Sequence, residues 1–214
     1  MSVTIQKETA GPIASKLLEI DAIRINYKTP FIWSSGWKAP IYCDNRLSLS
    51  FPEVRNYVKT ELCTALKKHF EMPDVIAGVA TAGIPQGTLV ADMLNLPFAY
   101  VRPKSKDHGL KNLIEGHIKS GQKIILIEDL VSTGGSSLKA VQAVRDVGAE
   151  VIGMVAIFTY GFNLSTKAFE QAKVPLVCLS DFDHLLEVAL KSNFIDADKM
   201  NYVKSWRLDP ANWR

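Results

Sequence analysis

A chain of 214 residues is long enough for a substantial core and for one α/β domain, with or without a small appendage. With 47% hydrophobic and 22% charged residues it has the composition of a soluble globular protein, and a formal charge of +3 is too small to argue for nucleic acid, though it suits a polyanionic small substrate. Cys43, Cys63 and Cys178 show no metal-ligand spacing and read as reduced thiols of a cytoplasmic protein; the first ten residues lack an apolar signal core, and no run of about eighteen apolar residues occurs.

Residues 6–22 carry a helical pattern, with Ile13, Leu17, Leu18 and Ile20 as its apolar contacts. Residues 25–49 change texture to aromatic, turn-rich sequence: Tyr27, Phe31 and Trp33, then S-S-G-W-K-A-P and I-Y-C-D-N-R. Two short strands around a glycine turn are expected here, forming a small hood over one end of a sheet, where a flat ring can be covered. Ser50-Phe51-Pro52-Glu53 reads as a capping box that starts a helix running to about Phe70, with Val54, Val58, Leu62 and Leu66 on one stripe.

A strand is expected over 74–79, then a glycine-bearing loop over 80–87 leading into a helix. A turn of that kind occurs in any βαβ unit, so by itself it says little about anion binding. A short strand at 98–101 runs into R-P-K-S-K-D-H-G, which places three fixed cations and a histidine within seven residues. Proline and glycine keep this cluster out of a helix. A surface basic loop is the plain reading; next to an anionic site the same loop could close as a lid.

The most specific stretch follows, K-I-I-L-I-E-D-L-V-S-T-G-G-S-S over 123–137. Ile124 to Ile127 form an unbroken apolar run, as in a strand buried on both faces of a parallel sheet. Glu128 and Asp129 stand at its C-terminal end. A loop of small hydroxyl residues and glycine comes next, and then a helix with Leu138, Val141, Val144 and Val147 on its apolar side. Glycine lets backbone N–H groups turn inward on an anion, and a helix N-terminus adds unpaired donors and a positive dipole end. A phosphate fits that loop. Two carboxylates cannot bind the phosphate, so vicinal ribose hydroxyls are their natural donors, and the implied ligand is a ribose 5-phosphate. A Walker A loop is excluded because no lysine follows Gly134-Gly135, and the dinucleotide fingerprint is absent.

Beyond it, Gly148 ends the helix. Strands are expected over 151–158 and 174–179, with a loop at 159–163 and a helix over 165–172 between them, and Ser180 begins a helix through Leu185, Leu186 and Leu190. His69, His117 and His184 read as structural or solvated. Residues 200–214, with Trp206 and Trp213, are expected to dock on the body.

The 123–137 stretch resembles the phosphoribosyl-diphosphate (PRPP) motif of type I phosphoribosyltransferases. Together with S-S-G-W-K-A-P-I-Y-C-D-N-R, A-T-A-G-I-P, V-R-P-K-S-K-D-H-G and I-F-T-Y-G, the chain is similar over nearly its whole length to the orotate branch of that family. The resemblance implies transfer of ribose 5-phosphate from PRPP to orotate, and a parallel sheet flanked by helices, with a small N-terminal hood, in a single domain over 1–214. It implies Mg2+ held mainly by PRPP oxygens, with no protein ligand, and a homodimer in which the 102–109 loop reaches the partner's site. It assigns Arg102, Lys106 and His108 to the diphosphate. Glu128, Asp129, Leu130, Val131, Ser132, Thr133, Gly134, Gly135 and Ser136 would hold the ribose phosphate, Ser132 would also touch orotate, and Ala80 to Gly83 would be the diphosphate loop.

The chain departs from better-known members at three places. It has no lysine in Ala80-Thr81-Ala82-Gly83, it has Pro103 where a second basic residue follows the arginine, and it has Thr159-Tyr160-Gly161 where those relatives place an orotate-binding arginine. Lys38 in the hood is the substitute expected for that arginine. The alternatives are a purine or uracil phosphoribosyltransferase and a non-catalytic PRPP-sensing regulator. The regulator would need a basic face or a DNA-binding segment, which the sequence does not supply.

Overall fold

The structure, a computed structural model, describes residues 3–33, 36–103 and 113–213. The chain starts with β1 (Thr4–Ile5) and α1 (Lys7–Glu19), then enters the hood through β2 (Ile23–Ile25), β3 (Phe31–Ile32), β4 (Lys38–Ala39) and β5 (Ile41–Cys43). A 3-10 turn (Asn45–Ser50) leads to α2 (Pro52–His69), β6 (Val75–Val79), α3 (Gly83–Leu94), β7 (Phe98–Val101) and the short β8 (Ile114–Glu115). The second half comprises β9 (Lys123–Val131), α4 (Gly135–Asp146), β10 (Glu150–Thr159), α5 (Asn163–Ala172), β11 (Leu176–Asp181), α6 (Phe182–Lys191) and α7 (Met200–Leu208).

Seven strands form one sheet in the order β1-β11-β10-β9-β6-β7-β8, parallel throughout except for β8. β9 is its centre. Ile124, Ile125, Leu126 and Ile127 are wholly buried, and their alternation sends Ile125 and Ile127 into the core under α1, α2, α3 and α6, and Ile124 and Leu126 into the core under α4 and α5. The chain runs from β6 outward to β7, then returns to β9 on the other side of β6 and proceeds outward again. The order therefore reverses between β6 and β9, and the crevice at the carboxyl ends of those strands is where ligands of open α/β sheets bind. No helix among the described residues is long and apolar enough to cross a membrane.

Two expectations change. The hood contains four short strands rather than two: β2 pairs with β5 and β3 with β4, both antiparallel, on either side of a turn at Gly36 (φ +84°). The interruption is visible in the bonding, since Trp33 N–H donates to Trp37 and Asn26 N–H to Pro40. Ser50 does not cap α2, because it still belongs to the preceding 3-10 turn. Phe51 takes the cap position without a side-chain bond, and Pro52 opens the helix, where a missing N–H costs nothing.

Residues 200–213 dock as expected. Trp206 is fully buried, donates from Nε1 to the Lys38 carbonyl (3.1 Å), and meets the Trp33 ring edge-on at 5.3 Å. The hood is thus fastened to the body by a helix from the other end of the chain.

Candidate active site

β9 is longer than its apolar run, and Glu128 to Val131 continue it as strand instead of starting the loop. Glu128 is 5% exposed. The alternation that buries Leu126 on the α4 side aims Glu128 the same way, and there the Ser137 hydroxyl donates to its Oε2 at 2.9 Å while the Asp129 N–H reaches Oε1 at 3.1 Å. The Asp129 carbonyl is fixed from the hood side: Nδ2 of the fully buried Asn45 donates to it at 2.7 Å. Asn45 is held in turn, for its carbonyl accepts from Ser48 Oγ (2.6 Å), and Ser48 accepts from Gln86 of α3 (3.2 Å). One buried polar chain therefore connects α3, the 3-10 turn and the acidic strand.

Burial, and then the charge of neighbouring Asp129, push the Glu128 carboxyl well above the usual carboxylate range. Burial also raises Asp129, but the hydrogen bond with Glu128 and the positive charge of Arg46 oppose the rise. Of the two carboxyls, Glu128 is the one pushed further up. Arg46 forms an ion pair with Asp44 at 2.6 Å. It is a site neighbour that stands out in the sequence only as the last residue of the hood motif.

The turn after β9 is three residues, Ser132, Thr133 and Gly134, because α4 already begins at Gly135. Gly134 adopts φ +84° at the helix cap and brings no side chain to the first N–H groups of α4. A Cβ added to Gly135 would meet no atom within 4 Å. The turn thus presents unfilled donors next to open space, which is what an anion needs.

A cleft lies on each side of this turn. One, about 560 Å³, runs beneath the hood; Trp33, Trp37, Tyr42 and Tyr160 wall it, Leu130 backs it, and Ser132 and Thr133 edge it. The other, about 460 Å³, lies over the ends of β6 and β7 and gathers Ala80, Arg102, Pro103, Gly135, Ser136 and Lys139. Arg102 is partly buried there and pairs with Glu115 at 3.4 Å.

Of the expected site residues, Leu130, Ser132 and Thr133 line the aromatic cleft and Arg102, Gly135 and Ser136 the other, while Glu128, Asp129 and Gly134 belong to the strand and turn between them and line neither. Lys106 and His108 lie outside the described residues. Val131 is fully buried core, and its carbonyl serves Thr159 Oγ1 (3.0 Å). Lys38 is exposed on β4 and does not line the aromatic cleft, since alternation there turns Ala39 inward instead. The cleft's aromatic residues from the hood were visible in the sequence as its texture, and Tyr160 only as part of the Thr159-Tyr160-Gly161 segment that lacks the arginine of better-known relatives. His184 pairs with Asp181 at 2.7 Å, in keeping with a structural role.

A parallel sheet with a phosphate-sized turn and an acidic pair at its switch point defines a class, and the chain belongs to the phosphoribosyl transferase family, whose domain model matches residues 59–183. The orotate phosphoribosyltransferase of Bacteroides thetaiotaomicron is 56% identical over 200 residues, covering 94% of each chain. Within the family the chain stands with the orotate phosphoribosyltransferases. The crystal structure of orotate phosphoribosyltransferase from Aeropyrum pernix superposes with a TM-score of 0.75 at 25% identity, covering 86% of this chain and 99% of that one. The UMP synthase of Leishmania donovani gives a TM-score of 0.77 at 27% identity, with 92% of this chain matching 42% of that longer protein.

Proposed function

We propose that the chain transfers the 5-phosphoribosyl group of PRPP to a ring nitrogen of orotate, giving orotidine 5′-monophosphate and diphosphate, a step of pyrimidine synthesis. The observation that carries this reading is the position of one turn: residues 132–136 stand between an aromatic cleft suited to a flat base and a cleft containing Arg102, and the acidic pair leads into them.

In the reaction the bond from ribose C1 to the diphosphate oxygen breaks, its electron pair leaving with diphosphate, and a lone pair on the orotate nitrogen forms the new bond to C1. The turn and the first N–H groups of α4 hold the 5-phosphate, and Glu128 and Asp129 take the ribose hydroxyls, while Ser132 reaches the base. Asp129 also lies near the sugar as it turns positive. Arg102, joined by Lys106 and His108, draws the growing negative charge onto the leaving group; a well-placed group of this kind typically contributes on the order of 3 to 4 kcal/mol. The orotate nitrogen is acidic enough to need no dedicated base.

Magnesium fits this donor set as a companion of PRPP. The two carboxyls are already engaged with Ser137, a backbone N–H and each other, which leaves most of a hard cation's oxygen shell to the substrate. When bound, it neutralises charge on the diphosphate.

The working unit is one domain per chain, roofed mainly by residues 25–49, in a cytoplasmic homodimer whose 102–109 loop crosses to the partner's site. Incubation with PRPP, magnesium and orotate should consume orotate; consumption of a purine or uracil instead would replace the base in this reading. Mixing inactive Lys106→Ala and Asp129→Asn chains should restore part of the activity, because each hybrid dimer then keeps one intact site. No recovery would place the loop on its own chain's site.

A further inference from the structure

Tyr160 follows β10 and is 1% exposed. Four rings fix its own: Trp33 at 5.0 Å, Trp206 at 5.4 Å, and Phe158 and Phe162 each at 5.6 Å between centroids. Its backbone N–H is spent on the Val131 carbonyl. Its hydroxyl makes no hydrogen bond to any described residue. Gln86 Oε1 is the one wholly enclosed side-chain oxygen or nitrogen among the described residues that lacks a partner. The Tyr160 oxygen is not among such atoms, and the residue lines the aromatic cleft.

Burial first, and then the charges of Cys43, Tyr42 and Asp129, push the phenol well above its usual range. It stays a proton donor. Elsewhere on the cleft walls, Trp33 Nε1 is already committed to the Ile41 carbonyl, and Lys38 stands outside.

We propose that Tyr160 is a specificity-determining contact for the acceptor base, its hydroxyl donating a hydrogen bond to an sp2 oxygen of the bound pyrimidine. The inference rests on the transfer reaction given above and names the side chain that reads the base. The ring cannot swing away, so the donor is positioned before the base arrives and little freedom is lost on binding. A base without an oxygen at that point would leave the hydroxyl buried and unpaired, and a site built around such a donor rejects such a base strongly.

Tyr160→Phe removes the oxygen and keeps the ring stack. The expected result is a rise in KM for orotate of about tenfold or more, the worth of one hydrogen bond to a charged ligand. KM for PRPP should not change, and the melting temperature should hold or rise, because the lost hydroxyl had no partner in the fold. If the unsubstituted protein consumes orotate and the variant's orotate KM is the same, the assignment is wrong while the transfer reaction stands. If KM for both substrates rises together, or the melting temperature falls, Tyr160 acts only through packing and the assignment is again wrong. A protein that leaves orotate untouched overturns the reaction and this assignment with it.

Discussion

The turn between β6 and α3 and the turn between β9 and α4 follow the same plan: each leaves a buried parallel strand and enters a twelve-residue helix whose first residue is glycine. Glycine does different work in the two. A Cβ on Gly83 would run into the carbonyl of Ile127 and come within 3.5 Å of the Glu128 Cα, so this glycine lets α3 press against the strand that carries the acidic pair. A Cβ on Gly135 would meet nothing, so the space there is free for a ligand. One turn accommodates the protein's own backbone and the other leaves room for something from outside. The carboxylates, absent from the first turn, and the hydroxyl groups, reduced there to that of Thr81 and gathered at the second, mark the difference.

Removing the charge that distinguishes the second unit should have the largest effect. Asp129→Asn is expected to lower kcat by about a hundredfold or more, with the fold retained, as steady-state rates and a melting curve will show; near-normal turnover would remove Asp129 from the chemistry. Next comes the first unit's glycine. Gly83→Ala should destabilise by about 1–3 kcal/mol, the usual cost of overpacking against atoms that cannot move, lowering Tm by about 2–4 °C per kcal/mol for a chain of this length. Gly135→Ala should leave Tm intact and raise KM for PRPP by roughly tenfold, about one charge-assisted hydrogen bond. If the two alanine variants behave alike, the contrast between the turns is wrong.

The smallest effect is a matter of pH. Because the folded Glu128 carboxyl is raised above its unfolded value, near 4.3, its contribution to stability is present at low pH and lost as pH climbs toward its folded pKa. Glu128→Gln should therefore gain stability relative to the unsubstituted protein between about pH 4 and neutrality, no faster than about 1.4 kcal/mol per pH unit. Denaturant melts at several pH values would measure the slope, and a flat difference would mean that Glu128 ionises without hindrance.

Much of this was legible in the sequence because it is local. The apolar run at Ile124 to Ile127, the paired acids and the hydroxyl-rich turn announce a central strand, a short turn and a helix start within fifteen residues. The aromatic hood was legible as texture, but its joining to Tyr160 and Trp206 was not, since Trp33, Tyr160 and Trp206 meet only after the sheet has ordered the chain, and no short pattern records such a meeting. The cap at Phe51 misled for a related reason. Ser50 has the right chemistry for a cap, yet the 3-10 turn before it had already claimed its backbone.

The bond from Trp206 to the Lys38 carbonyl joins residues 168 positions apart in the chain. On the ribosome the hood, the sheet and the turn at 132–136 all emerge before the residue that fastens the hood. The aromatic cleft therefore cannot be finished before Trp206 is free to dock, and until then a nascent chain carries the turn and the acidic strand under a roof that is not yet tied down.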